Sequence, residues 1–217
     1  KVYQRIRKYT IRKKVTLIET FEAADKNVLD VGAGTGDFLA ACKLNSWNVF
    51  GVEPNLDARK IALEKGISLK EELFSYKDHK FDVITLWHVL EHVENLQTYI
   101  QLIKKLLKPN GVLIIAVPNY KSFDAKHYKQ YWAAFDAPRH LWHFSQFSIQ
   151  QLFKEIKMNV VDTKPMLFDS YYVSLLSEKY KSGFMNPFKA FYIGTLSNLK
   201  AKRTSEYSSL IYLLKNN

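Results

Sequence analysis

The stretch LDVGAGTGDF, residues 29–38, runs an apolar segment into Gly32, Ala33, Gly34, Thr35 and Gly36 before a helix-like continuation. Positions without bulky side chains let the backbone bend sharply and approach a ligand closely, with the N–H groups of a following helix within reach. The spacing is G-x-G-x-G. A dinucleotide fingerprint needs a glycine at 37, where Asp37 stands, and no Lys-Ser/Thr pair follows to make a phosphate-gripping P-loop. Glu53 closes the next apolar run, NVFGVE (48–53). An acid at the end of a second strand can accept both hydroxyls of a ribose. Asp30, just before the loop, can orient a cationic or amino group. A glycine loop, a ribose-binding acid and no pyrophosphate machinery together indicate an adenosyl ligand. The plainer alternative is a structural turn beside a surface carboxylate.

Two further stretches are rich in histidine. LWHVLEHV (86–93) contains His88-x-x-Glu91-His92, two histidines one helical turn apart with an acid beside them, as in a zinc peptidase. Such a site also needs a third ligand and an open coordination position. Only unremarkable acids such as Glu155 and Glu178 offer themselves, so no metal is expected. YWAAFDAPRHLWHFS (131–145) gathers Trp132, Asp136, Arg139, His140 and His143. A histidine is suited to take a phenolic or alcoholic proton near neutral pH. His140 is the favoured base, His143 is the second catalytic candidate, and Arg139 is a candidate anion contact. The alternative is a loop held by ordinary hydrogen bonds, its histidines and arginine packed on Trp132 and Trp142.

The elements that would position these groups follow from the pattern of the chain. Apolar runs at 27–31, 48–53, 81–87 and 111–118 alternate with helical periodicity, which argues for a parallel α/β sheet. The helix after the second strand takes Asn55 as N-cap and Gly66 just past its end. In the helix over 94–108, Leu96, Tyr99, Ile100, Ile103 and Leu107 share one face, and Pro109-Asn110-Gly111 turns the chain into a strand buried on both sides. A weak strand is expected near 67–71. Beyond 119 a long aromatic loop leads to a helix starting at Ser145 or Ser148, a strand at 159–168 and a last strand at 208–214. Between those two strands lies a helical, aromatic-rich insertion over 169–205, including Tyr172, where a hairpin would suffice. It is expected to act as a lid over an apolar pocket, with a docking helix or dimer contact as the alternative.

Bulk properties set the class. The chain has 217 residues, 47% hydrophobic and 24% charged, as in an ordinary globular domain. The longest apolar run, GVLIIAV (111–117), is far short of a membrane span, and no transmembrane segment is expected. Cys42 is the only cysteine, which excludes an internal disulfide or cysteine-based zinc site and fits a cytoplasmic setting. The formal charge of +11 is concentrated in a basic N-terminal helix, expected over 1–22, whose Ile11, Val15 and Ile18 form an apolar stripe. The chain begins at Lys1 rather than Met, which leaves room for residues upstream.

VLDVGAGTGDF, GVEPN, FDVITLWHVLEHV, LLKPNGVLIIAVPN and SSLIYLL resemble, in order, the motifs of class I S-adenosylmethionine-dependent methyltransferases. The pattern is nearest to the ubiquinone-biosynthesis O-methyltransferase-like group. The resemblance is good over residues 20–165 and loose at the ends. It implies a single Rossmann-like domain of seven strands in order 3-2-1-4-5-7-6, mostly parallel with an antiparallel last strand, and helices on both faces. S-adenosylmethionine would be the cofactor and S-adenosylhomocysteine the product. By match, Asp30, Gly32, Ala33, Gly34 and Gly36 surround the methionine part, and Glu53 with Pro54 the ribose. The adenine falls near Lys70, Glu71 and Leu73, and Leu86, Trp87 and His88 line the sulfonium side. Trp132, Asp136, Arg139 and Tyr172 would contact a small-molecule acceptor, the chain being monomer or homodimer. Relatives can show Glu-x-x-Glu-His, associated with a divalent ion, at the place where this chain has His88, Glu91 and His92. Two rival functions stay open. A nucleic-acid methyltransferase would use the basic N-terminus, but the Asn/Asp-Pro-Pro-aromatic stretch of base aminomethylases is replaced by LWHV. A non-catalytic cofactor-binding protein would not need the histidines.

Overall fold

A computed structural model describes the backbone of residues 2–217 and the side chains of residues 4–217. Lys1, part of the expected basic helix, lies outside them. The order is α1 (Val2–Ile18), β1 (Asn27–Val31), α2 (Asp37–Leu44), β2 (Asn48–Val52), α3 (Leu56–Glu64), β3 (Phe81–Trp87), α4 (Leu96–Leu106), β4 (Leu107–Pro118), α5 (Phe123–Tyr128), α6 (Gln146–Glu155), β5 (Met158–Pro165), α7 (Asp169–Ser182), α8 (Pro187–Thr204) and β6 (Ser209–Asn216). The strands form one mixed sheet in the order β2-β1-β3-β4-β6-β5, with β1 parallel to both β2 and β3.

Among the described residues the sheet has six strands, not seven. Residues 67–71 form only a single parallel bridge, Lys70 to Val52, closed by Lys70 N–H to Gly51 O and Glu53 N–H to Lys70 O at 2.9 Å each. The physical reason is local. Lys70, Glu71 and Glu72 bring three charges in succession, and a 3-10 turn at Leu73–Tyr76 ends the extended path. Leu69 still packs over β2, where a Cβ on Gly51 would sit 2.5 Å from its Cδ2. With that segment removed, the expected order 3-2-1-4-5-7-6 becomes the observed one.

Contacts divide the chain into two compact units. The first runs up to Trp87 and adds Gln97–Ile114 and Leu214–Asn217; the second comprises His88–Leu96 and Ile115–Leu213. In the first unit, Val28, Leu29, Leu39, Val83, Ile84, Leu86, Ile100 and Ile103 are buried, so that the apolar face of α4 and both faces of β1 and β3 are covered. Asn55 caps α3 by accepting the Ala58 N–H at 2.9 Å, and Gly66 follows the helix with φ 73°. In the second unit, α6 begins at Ser145, not Ser148. Ser145 accepts the Ser148 N–H at 3.2 Å while the Ser148 hydroxyl accepts the Ser145 N–H at 2.7 Å, a reciprocal cap in which both serines take part. α7 ends at Gly183 (φ 83°), and α8 starts with Pro187 behind the Asn186 cap. No described helix is long and apolar enough to cross a membrane.

Candidate active site

In the first unit, β1 delivers the chain into the glycine loop. Gly32, Gly34 and Gly36 all have positive φ (73°, 53° and 73°), a region that side chains disfavour. The Gly32 and Ala33 N–H groups donate to Val52 O at 2.8 and 2.9 Å, fastening the loop to the end of β2. A Cβ on Gly34 would meet nothing within 4 Å, so that face is open to a ligand, whereas one on Gly36 would lie 3.0 Å from Ala62 Cβ. Asp37, which breaks the dinucleotide pattern, pins the loop instead. It accepts the Thr35 hydroxyl at 2.7 Å and Lys65 Nζ at 2.9 Å, and pairs with Arg7 from α1. Burial alone would raise its pKa; these partners outweigh it and hold the carboxyl below the ordinary range.

Glu53 accepts the Gly34 N–H at 2.8 Å on one oxygen and the Asn55 N–H at 2.9 Å on the other. A carboxylate has about four acceptor sites, so capacity for sugar hydroxyls remains. Arg59 supports this corner, donating to Glu53 O and Pro54 O at 2.7 Å each and pairing with Glu71 at 3.0 Å. Asp30 is buried and accepts the Thr85 hydroxyl at 2.6 Å. Burial raises its pKa to about 7, against the hydrogen bond from Thr85 and the charge of Lys14. Leu86 is buried, while Trp87 meets Phe38 edge-on at 5.8 Å and carries Lys14 over its face at 4.1 Å.

The second unit contains a cavity of about 330 Å³ lined by His88, Glu91, Pro118, Ala133, Ala134, Asp136, Arg139, His140, Asp169, Tyr172, Val173, Leu176, Tyr180 and Ser209. His88 (φ 58°) lies between two carboxylates, Glu91 Oε1 at 3.3 Å from Nδ1 and Asp169 Oδ2 at 3.0 Å from Nε2. Burial would lower its pKa, but Asp169 and Glu91 together lift it to about 10, making it an imidazolium at neutral pH. His140 Nδ1 is 2.8 Å from Ala134 O, and His92 Nδ1 is 3.0 Å from Arg139 O. Because a carbonyl only accepts, each Nδ1 carries the hydrogen and each Nε2 keeps its lone pair when the ring is neutral, that of His140 lying 3.8 Å from Asp136 Oδ2. The two rings meet edge-on at 4.6 Å. Glu91, His92 and His140 each bring a ligand atom within 4.8 Å of the others. Glu91 is buried, and its Oε2 has no hydrogen-bond partner among the described residues.

The sequence-predicted residues separate accordingly. Asp30, the glycine loop, Glu53, Pro54, Glu71, Leu86 and Trp87 belong to the first unit; His88, Asp136, Arg139, His140 and Tyr172 line the cavity of the second. Two do not line it. Trp132 is buried in a cluster with Ala125, Tyr128 and Ile193, donating its indole N–H to Asp124 at 2.8 Å. His143 is exposed, in edge contact with Phe135 at 5.0 Å, and desolvation by its neighbours, with the nearby His140, lowers its pKa. Arg139 pairs with Asp136 at 2.7 Å. Asp169 was not singled out from sequence. Its signal was present only as an acid opening the insertion helix, with nothing to connect it to His88.

Comparison with known proteins bears on this arrangement. A family model described as a methyltransferase domain matches residues 3–163. The ubiquinone biosynthesis O-methyltransferase of Actinobacillus pleuropneumoniae is 39% identical over 108 residues, covering 43% of this chain and 46% of that protein. The protein of the same name from Pasteurella multocida is 36% identical over 113 residues, covering 43% and 47%. The chain thus spans about half the length of the curated relatives it matches. Among solved structures, a SAM-dependent methyltransferase from Archaeoglobus fulgidus superposes with a TM-score of 0.64 at 16% identity, covering 96% of this chain and 94% of that one. Magnesium protoporphyrin IX methyltransferase from Synechocystis gives 0.62 at 14%, covering 96% and 83%. With a G-x-G-x-G loop on β1, an acid after β2 and a family match over residues 3–163, the chain belongs to the methyltransferase-domain family.

Proposed function

We propose that the protein transfers the methyl group of S-adenosylmethionine to an oxygen of a small-molecule acceptor, with His140 as general base. The observation that carries this reading is the 2.8 Å approach of His140 Nδ1 to Ala134 O. The Nδ1–H is committed to Ala134 O, so Nε2 is the basic nitrogen, in a ring that lines the cavity of the second unit. The Glu53 carboxylate would take the ribose hydroxyls, Asp30 the ammonium group of the methionine part, and the open face of Gly34 the close approach of the cofactor. In the transfer, an acceptor hydroxyl gives its proton to His140 Nε2. Its oxygen forms a bond to the methyl carbon as the carbon–sulfur bond breaks, and the electron pair stays on sulfur in S-adenosylhomocysteine. The curated relatives, named as O-methyltransferases, support oxygen as the nucleophile. His140→Ala is expected to lower turnover by about 10²- to 10⁴-fold with S-adenosylhomocysteine binding unchanged, as measured by calorimetry and single-turnover kinetics. Full turnover in that variant overturns the assignment.

A second reading is favoured by the partnerless Oε2 of buried Glu91. Glu91, His92 and His140 fit a divalent cation, since a backbone carbonyl holds Nδ1 of each imidazole and turns its Nε2 toward the other ligand atoms. Such an ion would lower the pKa of an acceptor hydroxyl as a Lewis acid. The two readings compete for the same His140 nitrogen. Activity that survives exhaustive chelation leaves His140 as base; activity lost to chelation and restored by a divalent salt assigns it as ligand.

A further inference from the structure

The hairpin of α7 and α8 leaves the bulky apolar residues around its turn exposed. Its buried positions are mostly small: Ser170, Ser174 and Ser177 on α7, and Ala190, Gly194 and Ser197 on α8. The packing is close, for a Cβ on Gly194 would lie 2.7 Å from Tyr171 Cδ1. The bulky residues around the turn face solvent instead. Phe188 is 88% exposed, and Phe184, Met185, Phe191 and Tyr192 are between 48% and 65% exposed. A helix of a water-soluble domain normally turns such side chains inward, and a cluster of them outward marks an interaction surface.

The charge around this cluster is of one sign. From Lys179 to Ser205 the sequence contains no Asp or Glu; Lys179, Lys181 and Lys189 flank the turn, while Lys200, Lys202 and Arg203 lie at the far end of α8. Lys189 is matched by the buried Glu178 at 3.0 Å, and the surplus at the turn belongs to Lys179 and Lys181. Aromatic and methionine side chains interleaved with lysines, on helices too polar to span, match the chemistry of an anionic bilayer surface. A second copy would bring identical cations against these in a two-fold contact. A nucleic acid would use the lysines but leave Phe184 and Phe188 without a role. We propose that the α7–α8 turn docks on anionic lipid, its aromatic side chains entering the boundary between headgroups and acyl chains while the lysines meet the headgroups.

The test is co-sedimentation of the full chain with vesicles of phosphatidylcholine alone or mixed with phosphatidylglycerol. Binding to the mixed vesicles, weakened by salt, is expected. Lys179→Glu with Lys181→Glu should lower partitioning about fivefold per charge. Phe184→Ser with Phe188→Ser should lower it at least about tenfold for each aromatic removed, with S-adenosylhomocysteine binding retained as the check on folding. A reporter covers the case where that variant does not fold. Cys42 is the sole cysteine and is buried, so Phe188→Cys can be labelled alone with a polarity-sensitive dye, whose emission should shift to the blue on mixed vesicles. Absence of vesicle binding, equal binding by the serine variant, or an unshifted dye overturns the proposal. So does a concentration-dependent dimer, in the absence of lipid binding, that Phe188→Ser dissociates.

Discussion

In the proposed cofactor site, Asp30 joins ligand binding to pH. Its carboxyl is raised from 3.8 to about 7 because burial disfavours the charge more than Thr85 and Lys14 restore it. Between those values the folded protein retains a proton that the unfolded chain has released. The stabilisation from that proton is fully present below the unfolded value and is lost as pH rises through 7. A cofactor ammonium beside Asp30 favours the ionised form, so binding must expel the proton. Affinity for S-adenosylhomocysteine is therefore expected to rise with pH up to about 7, by at most about tenfold per unit, and then level off. Asp30→Asn should bind more weakly above pH 7 and show a flat profile. Calorimetry from pH 5.5 to 8 checks this, and parallel profiles for the two proteins would remove Asp30 from the cofactor.

At the scale of elements, Asp124 organises the second unit. It stands in the first turn of α5, fully buried, and accepts Trp132 Nε1 at 2.8 Å, Ser197 Oγ at 2.6 Å and Ser208 Oγ at 2.7 Å. One carboxylate thus ties α5 to the stretch leading to His140, to α8 and to the approach to β6. Asp124→Ala leaves three buried donors unpaired and should cost about 3–5 kcal/mol in chemical denaturation. Trp132→Phe, which removes one donor, should cost about 1–3 kcal/mol. A loss below about 1 kcal/mol in Asp124→Ala would show that the network contributes little. This network also explains what the sequence could and could not reveal. β1 and β3 match the apolar runs at 27–31 and 81–87 residue for residue, because burial on both faces writes itself as continuous hydrophobicity. The glycine loop was legible because its backbone demands glycine. Trp132 was expected to touch substrate because it lies in the run that contains His140. Its partner Asp124, and the serines that reach that acid from 73 and 84 residues away, follow no period along the chain. The His88–Asp169 pair was hidden for the same reason.

At the scale of the molecule, the question is whether the helical insertion is separable. Its position between two strands suggests a lid that could be cut away with the rest intact. The contacts argue otherwise for the second unit. α8 supplies Ile193 to the cluster around Trp132 and Ser197 to Asp124; α7 supplies Ser177, whose hydroxyl accepts the Ala133 N–H at 2.8 Å, and the Tyr172, Val173 and Leu176 wall of the cavity. The first unit takes no residue from 170–204. Deleting that segment is therefore expected to divide the response. Amides at 29–36 should still gain hydrogen-exchange protection on adding S-adenosylhomocysteine, while those at 123–135 lose theirs and methyl transfer stops. Tyr172→Ala separates the two roles of the insertion. It trims the cavity wall at an exposed position, so protection at 123–135 should persist while the KM for the acceptor rises. Wild-type protection at 123–135 in the deletion variant would return the insertion to the status of a detachable lid, because the packing of Ile193 and Ser197 would then be dispensable to the fold that holds His140.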